Sequence, residues 1–136
     1  MNYLLDTNVC IALINGTSDK IRTRFMQSAR LNAKFAASAI VAHELWCGVA
    51  KSQQVARNAN ALSAFLSRDV TLLDYTEKDG HAAGEIRAEL ERQGQRIGEY
   101  DTLIAGQAFS RNLILVTANT REFGRVKGLV IEDWTE

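Results

Sequence analysis

Short apolar runs alternate along the chain with longer segments in which apolar residues recur at helical spacing. The apolar runs predict strands over residues 3–5, 35–38, 70–73, 113–116 and 129–131. The periodic segments predict helices over about residues 7–14, 18–30, 39–49, 55–67, 76–93 and 102–111. Strands that are apolar throughout and separated by helices are typical of a parallel sheet covered on both faces. We therefore predict an α/β fold, a three-layer α/β/α sandwich with a parallel sheet of four to five short strands.

The composition is that of a folded protein, with 46% hydrophobic and 24% charged residues among 136. This length suits one compact domain, predicted over residues 1–136. No apolar run approaches the roughly 18 residues that cross a bilayer, and no signal segment opens the chain, so we expect no membrane contact and a cytoplasmic location. Cys10 and Cys47 form no CxxC pair, and both are predicted to be small buried residues in a reducing compartment.

Charge is distributed unevenly although the formal net charge is zero. Residues 7–68 contain eight basic side chains and only two acidic ones. Such a surplus could face a polyanion, or it could belong to ordinary solvated helix faces. Charge alone does not decide between these two interpretations.

Polar side chains follow the predicted strands at the points where a ligand would bind. Asp6 ends the first strand, and Glu44 lies in the first turns of the helix after the second. Asp101 is predicted to open the helix before the fourth strand, and Asn119 follows that strand. Ligands of open parallel sheets bind beyond the carboxyl ends of the strands, so these four side chains are expected along one edge.

Each acid also has a purely structural interpretation. Asp6 and Asp101 occupy predicted N-cap positions, and capping alone would account for either of them. Glu44 lies beside a buried apolar stripe, where a carboxylate needs a hydrogen-bonding partner or a metal. Three acids at one sheet edge repel one another unless cations neutralise them, and an oxygen-rich cluster of this kind suits Mg²⁺ or Mn²⁺.

Other chemistries find little support in the sequence. Residues 43–47 nearly match the zinc motif HExxH, but Cys47 stands where the second histidine belongs and no third ligand is evident. The chain contains neither GxGxxG nor GxxxxGK[ST], which argues against dinucleotide and P-loop nucleotide binding. A GxSxG nucleophile motif is also absent.

Four segments, taken in order, resemble the PIN-domain ribonucleases and, within them, the VapC toxins of type II toxin–antitoxin pairs. The segments are residues 3–8, residues 38–45 with Gly48, residues 97–105 and residues 116–123. The resemblance covers essentially the whole chain and implies a PIN-like fold. It also implies that Asp6, Glu44 and Asp101 are catalytic, with Asp6 and Asp101 as ligands of Mg²⁺ or Mn²⁺ and Glu44 binding the metal or its water.

The resemblance further assigns supporting polar positions and one departure. Thr7, Asn8 and Thr117 match supporting positions, whereas Asn119 stands where many PIN domains carry a fourth aspartate. Glu122, three residues beyond, is an additional candidate. An asparagine oxygen can accept a hydrogen bond but adds no negative charge, so the resemblance leaves open whether one or two metals bind.

The expected activity is that of a Mg²⁺-dependent endoribonuclease. A metal-activated water would cleave single-stranded or loop RNA, leaving a 5′-phosphate and a 3′-hydroxyl, and the family implies transfer RNA anticodon loops as one target class. The expected partners are a VapB-type antitoxin and a second copy of the chain. Two alternatives stay open: a catalytically weak nucleic-acid-binding module, and a metal-dependent deoxyribonuclease or phosphatase that uses the same cluster.

Overall fold

The computed structural model describes residues 2–136. The strands in this part of the chain are β1 (Asn2–Leu5), β2 (Lys34–Ser38), β3 (Thr71–Leu73), β4 (Ile114–Val116) and β5 (Ile131–Glu132). The helices are α1 (Thr7–Asn15), α2 (Asp19–Arg30), α3 (Ala39–Lys51), α4 (Val55–Arg68), α5 (Glu77–Arg92), α6 (Glu99–Ser110) and α7 (Thr120–Phe123).

The sheet has the strand order β3-β2-β1-β4-β5, and every neighbouring pair is parallel. β1 lies at the centre, where Leu4 pairs with Ala36 of β2 on one side and Leu115 of β4 on the other. Leu4, Leu5 and Val116 are completely buried. The parallel sheet predicted from uninterrupted apolar strands is thus confirmed.

The strand order places the helices in two layers. From β1 the chain steps outward to β2 and β3, then crosses back to β4 and continues outward to β5 on the other side. Since such crossovers are right-handed, the first set of connecting helices, α1–α4, and the second set, α5–α7, cover opposite faces of the sheet. The contacts agree, because α1 touches α2, α3 and α4 while α6 packs against α5 and α7.

Two predicted elements differ in position from the structure, and one was missed. The helix before β4 begins at Glu99 rather than at Asp101. The last strand is Ile131–Glu132 rather than residues 129–131, because its register is set by pairing with Leu115 and Val116 of β4. The single-turn helix α7 was not predicted.

The two cysteines have different environments. Cys10 is completely buried and its thiol contacts the carbonyl oxygen of Leu5, as predicted for a small core residue. The prediction of burial is wrong for Cys47, which is exposed. Cys47 lies on the outer side of α3, whose buried stripe consists of Val41, Ala42 and Leu45.

The basic surplus of residues 7–68 does not gather at one edge. Arg30 and Lys34 lie at the amino end of β2, and Arg68 lies just before β3. The amino ends of parallel strands form the edge opposite to the carboxyl ends. These side chains therefore cannot line a cleft that contains the carboxylates.

A buried ionic network joins α5 to α6 at the edge remote from the carboxylates. Asp79 is only 1% exposed, and its carboxylate accepts hydrogen bonds from Arg111 at 2.9 Å, from Gln107 at 3.0 Å and from Ser110. Burial alone would raise the pKa of Asp79, but these bonds and the backbone N–H of Thr76 hold it well below its ordinary range. The carboxylate is thus ionised and fully paired.

Close packing between α5 and α6 depends on a glycine. A Cβ atom on Gly106 would lie 2.5 Å from the Ala83 Cβ and 2.6 Å from its backbone nitrogen. Only a residue without a side chain permits this approach. Within residues 2–136, no helix has the length and apolar character needed to cross a membrane.

Candidate active site

Asp6 lies at the carboxyl end of the central strand, where the connections of the sheet change direction. Its Oδ1 accepts a hydrogen bond from the backbone N–H of Thr7 at 2.8 Å, so the residue is the N-cap of α1, as predicted. Its Oδ2 accepts the hydroxyl proton of Thr117 at 2.8 Å, directly after β4. Capping therefore uses one oxygen, and the other faces the switch point between β1 and β4, where ligands of such sheets bind.

Glu44 reaches the same edge from α3. It is half-buried, as predicted, and its Oε1 accepts the hydroxyl proton of Thr7 at 2.9 Å. Thr7 thus donates its backbone N–H to Asp6 and its hydroxyl to Glu44. This residue holds two carboxylates from different elements in fixed positions.

Asp101 occupies the third position of α6 and is half-buried. The side-chain amide of Asn119 donates hydrogen bonds to Asp101 Oδ2 at 3.3 Å and to Glu122 Oε2 at 2.6 Å. Asn119 therefore joins two carboxylates at the position where the resemblance implies a fourth aspartate. Glu122 thus shares a hydrogen-bond donor with Asp101 and is part of the carboxylate cluster.

Glu122 contacts the start of α6, which lies earlier in the chain than predicted. Its Oε1 accepts the backbone N–H of Gly98 at 3.0 Å, the bond that the side chain of the third helical residue makes in a capping box. The N-cap role predicted for Asp101 is wrong, because Gly98 is the N-cap and Asp101 is the third residue of the helix. The sequence signal was the spacing Asn119-x-x-Glu122, which is typical of a helix start and forms α7.

The cluster carries negative charge that is not fully compensated. Burial, a hydrogen bond shared with Glu122 and the charges of Asp6 and Glu44 raise the pKa of Asp101 to about 7. Hydrogen bonds from Asn119, Asp101 and Gly98 lower the pKa of Glu122. Burial and neighbouring negative charge therefore both favour the protonated form of Asp101.

The remaining predicted residues differ in their contacts. Thr117 is buried, donates to Asp6 and accepts the backbone N–H of Asn119 at 3.0 Å. Asn8 is exposed on α1, and its side chain makes no hydrogen bond with residues 2–136. The structure thus brings Thr7, Thr117 and Asn119 into the network and leaves Asn8 outside it.

The donor set suits a hard divalent cation. Carboxylate oxygens from four separate segments face the switch point, and burial together with the neighbouring negative charges raises the pKa of Asp101. Among residues 2–136, no group of three or more Asp, Glu, His or Cys side chains is arranged so that it could hold a metal ion by itself. Magnesium commonly binds through one or two carboxylates and keeps several waters, so an open arrangement fits it better than it fits zinc.

Comparison with known proteins identifies the family of the chain and supports its fold. The sequence profile of the PIN domain family matches residues 3–129. The tRNA(fMet)-specific endonuclease VapC of Shigella flexneri is 45% identical over 136 residues, which cover 99% of each chain. Ribonuclease VapC2 of Haemophilus influenzae is 44% identical over 134 residues, which cover 98% of each chain.

Solved structures agree with this relationship. In the crystal structure of VapBC2 from Rickettsia felis bound to a DNA fragment from their promoter, the matching chain has a TM-score of 0.91 and 40% identity. The match covers 98% of this chain and 99% of that one. With its central parallel sheet and its acids at the switch point, the chain belongs to the PIN domain family and, within it, to the VapC ribonucleases.

Proposed function

We propose that this protein is a toxin endoribonuclease that cleaves single-stranded or loop RNA with Mg²⁺ or Mn²⁺ and is neutralised by a VapB-type antitoxin. The observation that carries the proposal is the convergence of Asp6, Glu44, Asp101 and Glu122 on one sheet edge. Their mutual repulsion is relieved when a divalent cation binds among them. Relatives that are 44% and 45% identical to this chain are named as a ribonuclease and an endonuclease.

The residues divide the work according to their contacts. Asp6 and Asp101 are the proposed metal ligands, and Glu44 binds the metal or orients a water beside it. When bound, the metal supplies an activated water and offsets negative charge on the phosphate. Thr7 and Thr117 fix the acids by hydrogen bonds, while Asn119 holds Asp101 and Glu122 together without adding charge.

The proposed substrate is an RNA loop, and the anticodon loop of a transfer RNA is the first to test. Bases in such loops are splayed out and reach an open cleft, whereas those of a paired helix are enclosed. The relative from Shigella flexneri is named for action on tRNA(fMet). We propose the same class of substrate here, in the cytoplasm, where transfer RNA is used.

The proposed partners are an antitoxin and a second copy of this chain. An apolar groove of about 310 Å³ lies between α1, α3 and α4 and adjoins Glu44. Ile11, Ile14, Leu45, Val49 and Leu62 line it. A segment of antitoxin bound in this groove would reach the carboxylates and block them. The similar structure from Rickettsia felis is that of VapBC2 bound to promoter DNA.

The decisive experiment compares substrates and cations. Purified wild type, Asp6→Ala and Asp101→Asn are incubated with transfer RNA, single-stranded DNA and a phosphomonoester, in Mg²⁺, Mn²⁺ or EDTA. We expect wild type to cut RNA in either metal and both variants to be inactive.

A preference for DNA would identify a deoxyribonuclease, and a preference for the phosphomonoester would identify a phosphatase; either result would contradict the proposed reaction. Tight RNA binding without cleavage in Mn²⁺ would identify a binding module instead. In bacteria, growth arrest by the wild type is expected to disappear in both variants and when the antitoxin is co-expressed. Growth arrest that persists in both variants would contradict the assigned site.

A further inference from the structure

Two exposed rings meet directly beside the carboxylates. His43 precedes Glu44 in α3, and Tyr100 precedes Asp101 in α6. His43 Nε2 lies 3.3 Å from the Tyr100 hydroxyl, and the ring centroids are 5.6 Å apart with planes at 69°. The pair thus connects the two helices that carry Glu44 and Asp101.

This pair remains accessible although it is fixed. Tyr100 is 48% exposed and His43 is also exposed, so neither ring is part of the core. Their hydrogen bond restricts both side chains, which lowers the entropy lost when a ligand packs on them. Because the planes are inclined rather than parallel, the two rings do not cover each other as a stacked pair would.

We propose that His43 and Tyr100 form a platform on which one unpaired RNA base stacks next to the scissile phosphate. The proposal deepens the proposed function and rests on it. Proteins bind single-stranded RNA by stacking its bases on aromatic side chains, and every base offers a flat face for this contact. A phosphate held at Asp101 and Glu44 places its flanking nucleotides beside the residues that immediately precede those acids.

Position favours RNA over a second copy of the chain as the occupant. Residues of an interface between copies would have no reason to lie next to the acids. Here each ring directly precedes a carboxylate in the sequence, and the two rings meet each other across the site. The pair therefore acts by positioning substrate, and its loss should affect KM more than kcat.

The test uses α6 as its own control. Phe109 lies at the opposite end of this helix and is 47% exposed, almost the same as Tyr100. Tyr100→Ala, Tyr100→Phe, His43→Ala and Phe109→Ala are compared with the wild type. The probe is an RNA hairpin with an anticodon-like loop that carries 2-aminopurine at each loop position in turn, measured for fluorescence in Ca²⁺ and for cleavage in Mg²⁺.

We expect the wild type to quench 2-aminopurine at a position adjoining the cleaved bond. Tyr100→Ala should abolish this quenching and raise KM about 5- to 150-fold, the range of stacking losses on alanine substitution. His43→Ala should have a smaller effect in the same direction. Tyr100→Phe keeps the ring but loses the hydrogen bond to His43, so its KM should lie between that of the wild type and that of Tyr100→Ala. Phe109→Ala should stay near the wild type.

A second substrate series isolates the base itself. An abasic nucleotide at the quenched position should weaken cleavage by the wild type but add little to the defect of Tyr100→Ala. The platform would be overturned if the abasic nucleotide weakened cleavage equally in the wild type and in Tyr100→Ala, or if the wild type did not quench 2-aminopurine. A change in oligomeric state for Tyr100→Ala in light scattering would also overturn it and would identify an interface between copies. Quenching without cleavage would instead contradict the proposed function and leave the platform supported.

Discussion

The Thr117 hydroxyl donates a hydrogen bond of 2.8 Å to Asp6, which joins the carboxyl ends of β4 and β1. The same oxygen accepts the backbone N–H of Asn119 at 3.0 Å. One buried side chain therefore orients Asp6 and also fixes the start of the segment that contains Asn119 and Glu122. Alignment of the two halves of the site depends on it.

Replacing Thr117 with valine keeps the shape and removes both contacts. We expect RNA cleavage to fall by about tenfold or more, because a hydrogen bond to a charged group is worth about 1.5–3 kcal/mol. The measurement is kcat/KM at saturating Mg²⁺. Thr120→Val is the matched control, since Thr120 is exposed and its hydroxyl makes no hydrogen bond with residues 2–136. Equal activities of the two variants would show that Thr117 does not orient Asp6.

The stability of the metal-free protein should decrease as pH rises from about 4 to about 7. The folded pKa of Asp101 is raised to about 7, above an unfolded value of about 3.9. Between these values the folded state binds more protons than the unfolded state, so the free energy of unfolding falls with pH. Asp101→Asn should flatten this dependence, measured as Tm against pH in EDTA. Identical Tm profiles of the wild type and Asp101→Asn would show that the surroundings of Asp101 do not disfavour its ionised form.

Divalent cations should reverse this instability. A ligand that binds only the folded state at 100 times its Kd adds about 2.7 kcal/mol to the free energy of unfolding. We expect Mn²⁺ to raise the Tm of the wild type above pH 7, and to raise that of Asp6→Ala or Asp101→Asn much less. Glu85→Ala, on the exposed side of α5, serves as the control for nonspecific binding. A rise of equal size in all variants would place the metal elsewhere.

The Asp79 network should govern acid stability. Its pKa is depressed in the folded state, so its contribution is complete above about pH 4 and is lost as pH falls through the folded value. Asp79→Asn leaves Arg111 without its charged partner and should cost about 3 kcal/mol at neutral pH. Urea unfolding at several pH values measures this difference, which should shrink in acid. RNA cleavage at low temperature should persist, because the network lies at the edge opposite the site.

Gly106 should tolerate no side chain. Alanine there would place its Cβ 2.6 Å from the Ala83 backbone nitrogen, which cannot move without separating α5 from α6. We expect a loss of about 1–3 kcal/mol, the usual cost of overpacking a core. Gly84→Ala is the control, since no atom lies within 4 Å of its added Cβ. Wild-type stability for Gly106→Ala would mean that the helices can separate at little cost.

Much of the fold could be predicted because the strands are short and apolar throughout. The five strands, the parallel sheet and the sheet edge of the acids all follow from that pattern and from general rules of chain connection. Boundaries that depend on distant partners could not be predicted. The N-cap of α6 is bonded to Glu122 from a later part of the chain, and the last strand takes its register from β4.

The site shows the same limit. Asp6, Glu44 and Asp101 could be placed together from topology, but the bonds that fix them join residues far apart in the chain. Nothing local indicates that Thr7 contacts Glu44, or that the Asn119 amide contacts both Asp101 and Glu122. The contact between His43 and Tyr100 could not be predicted either. A periodic pattern shows which side of one helix is apolar, but it does not show which rings meet across two helices.

The acids of this site come from four segments spread from residue 6 to residue 122. A ribosome that synthesises the protein must therefore expose α7 before all four acids can meet. Until then the emerging chain lacks part of the cluster, and on the proposed mechanism it is not expected to cut the RNA molecules that are decoding it. Activity is expected to appear only once the completed chain folds, so an antitoxin made alongside would encounter an intact nuclease rather than a succession of active fragments.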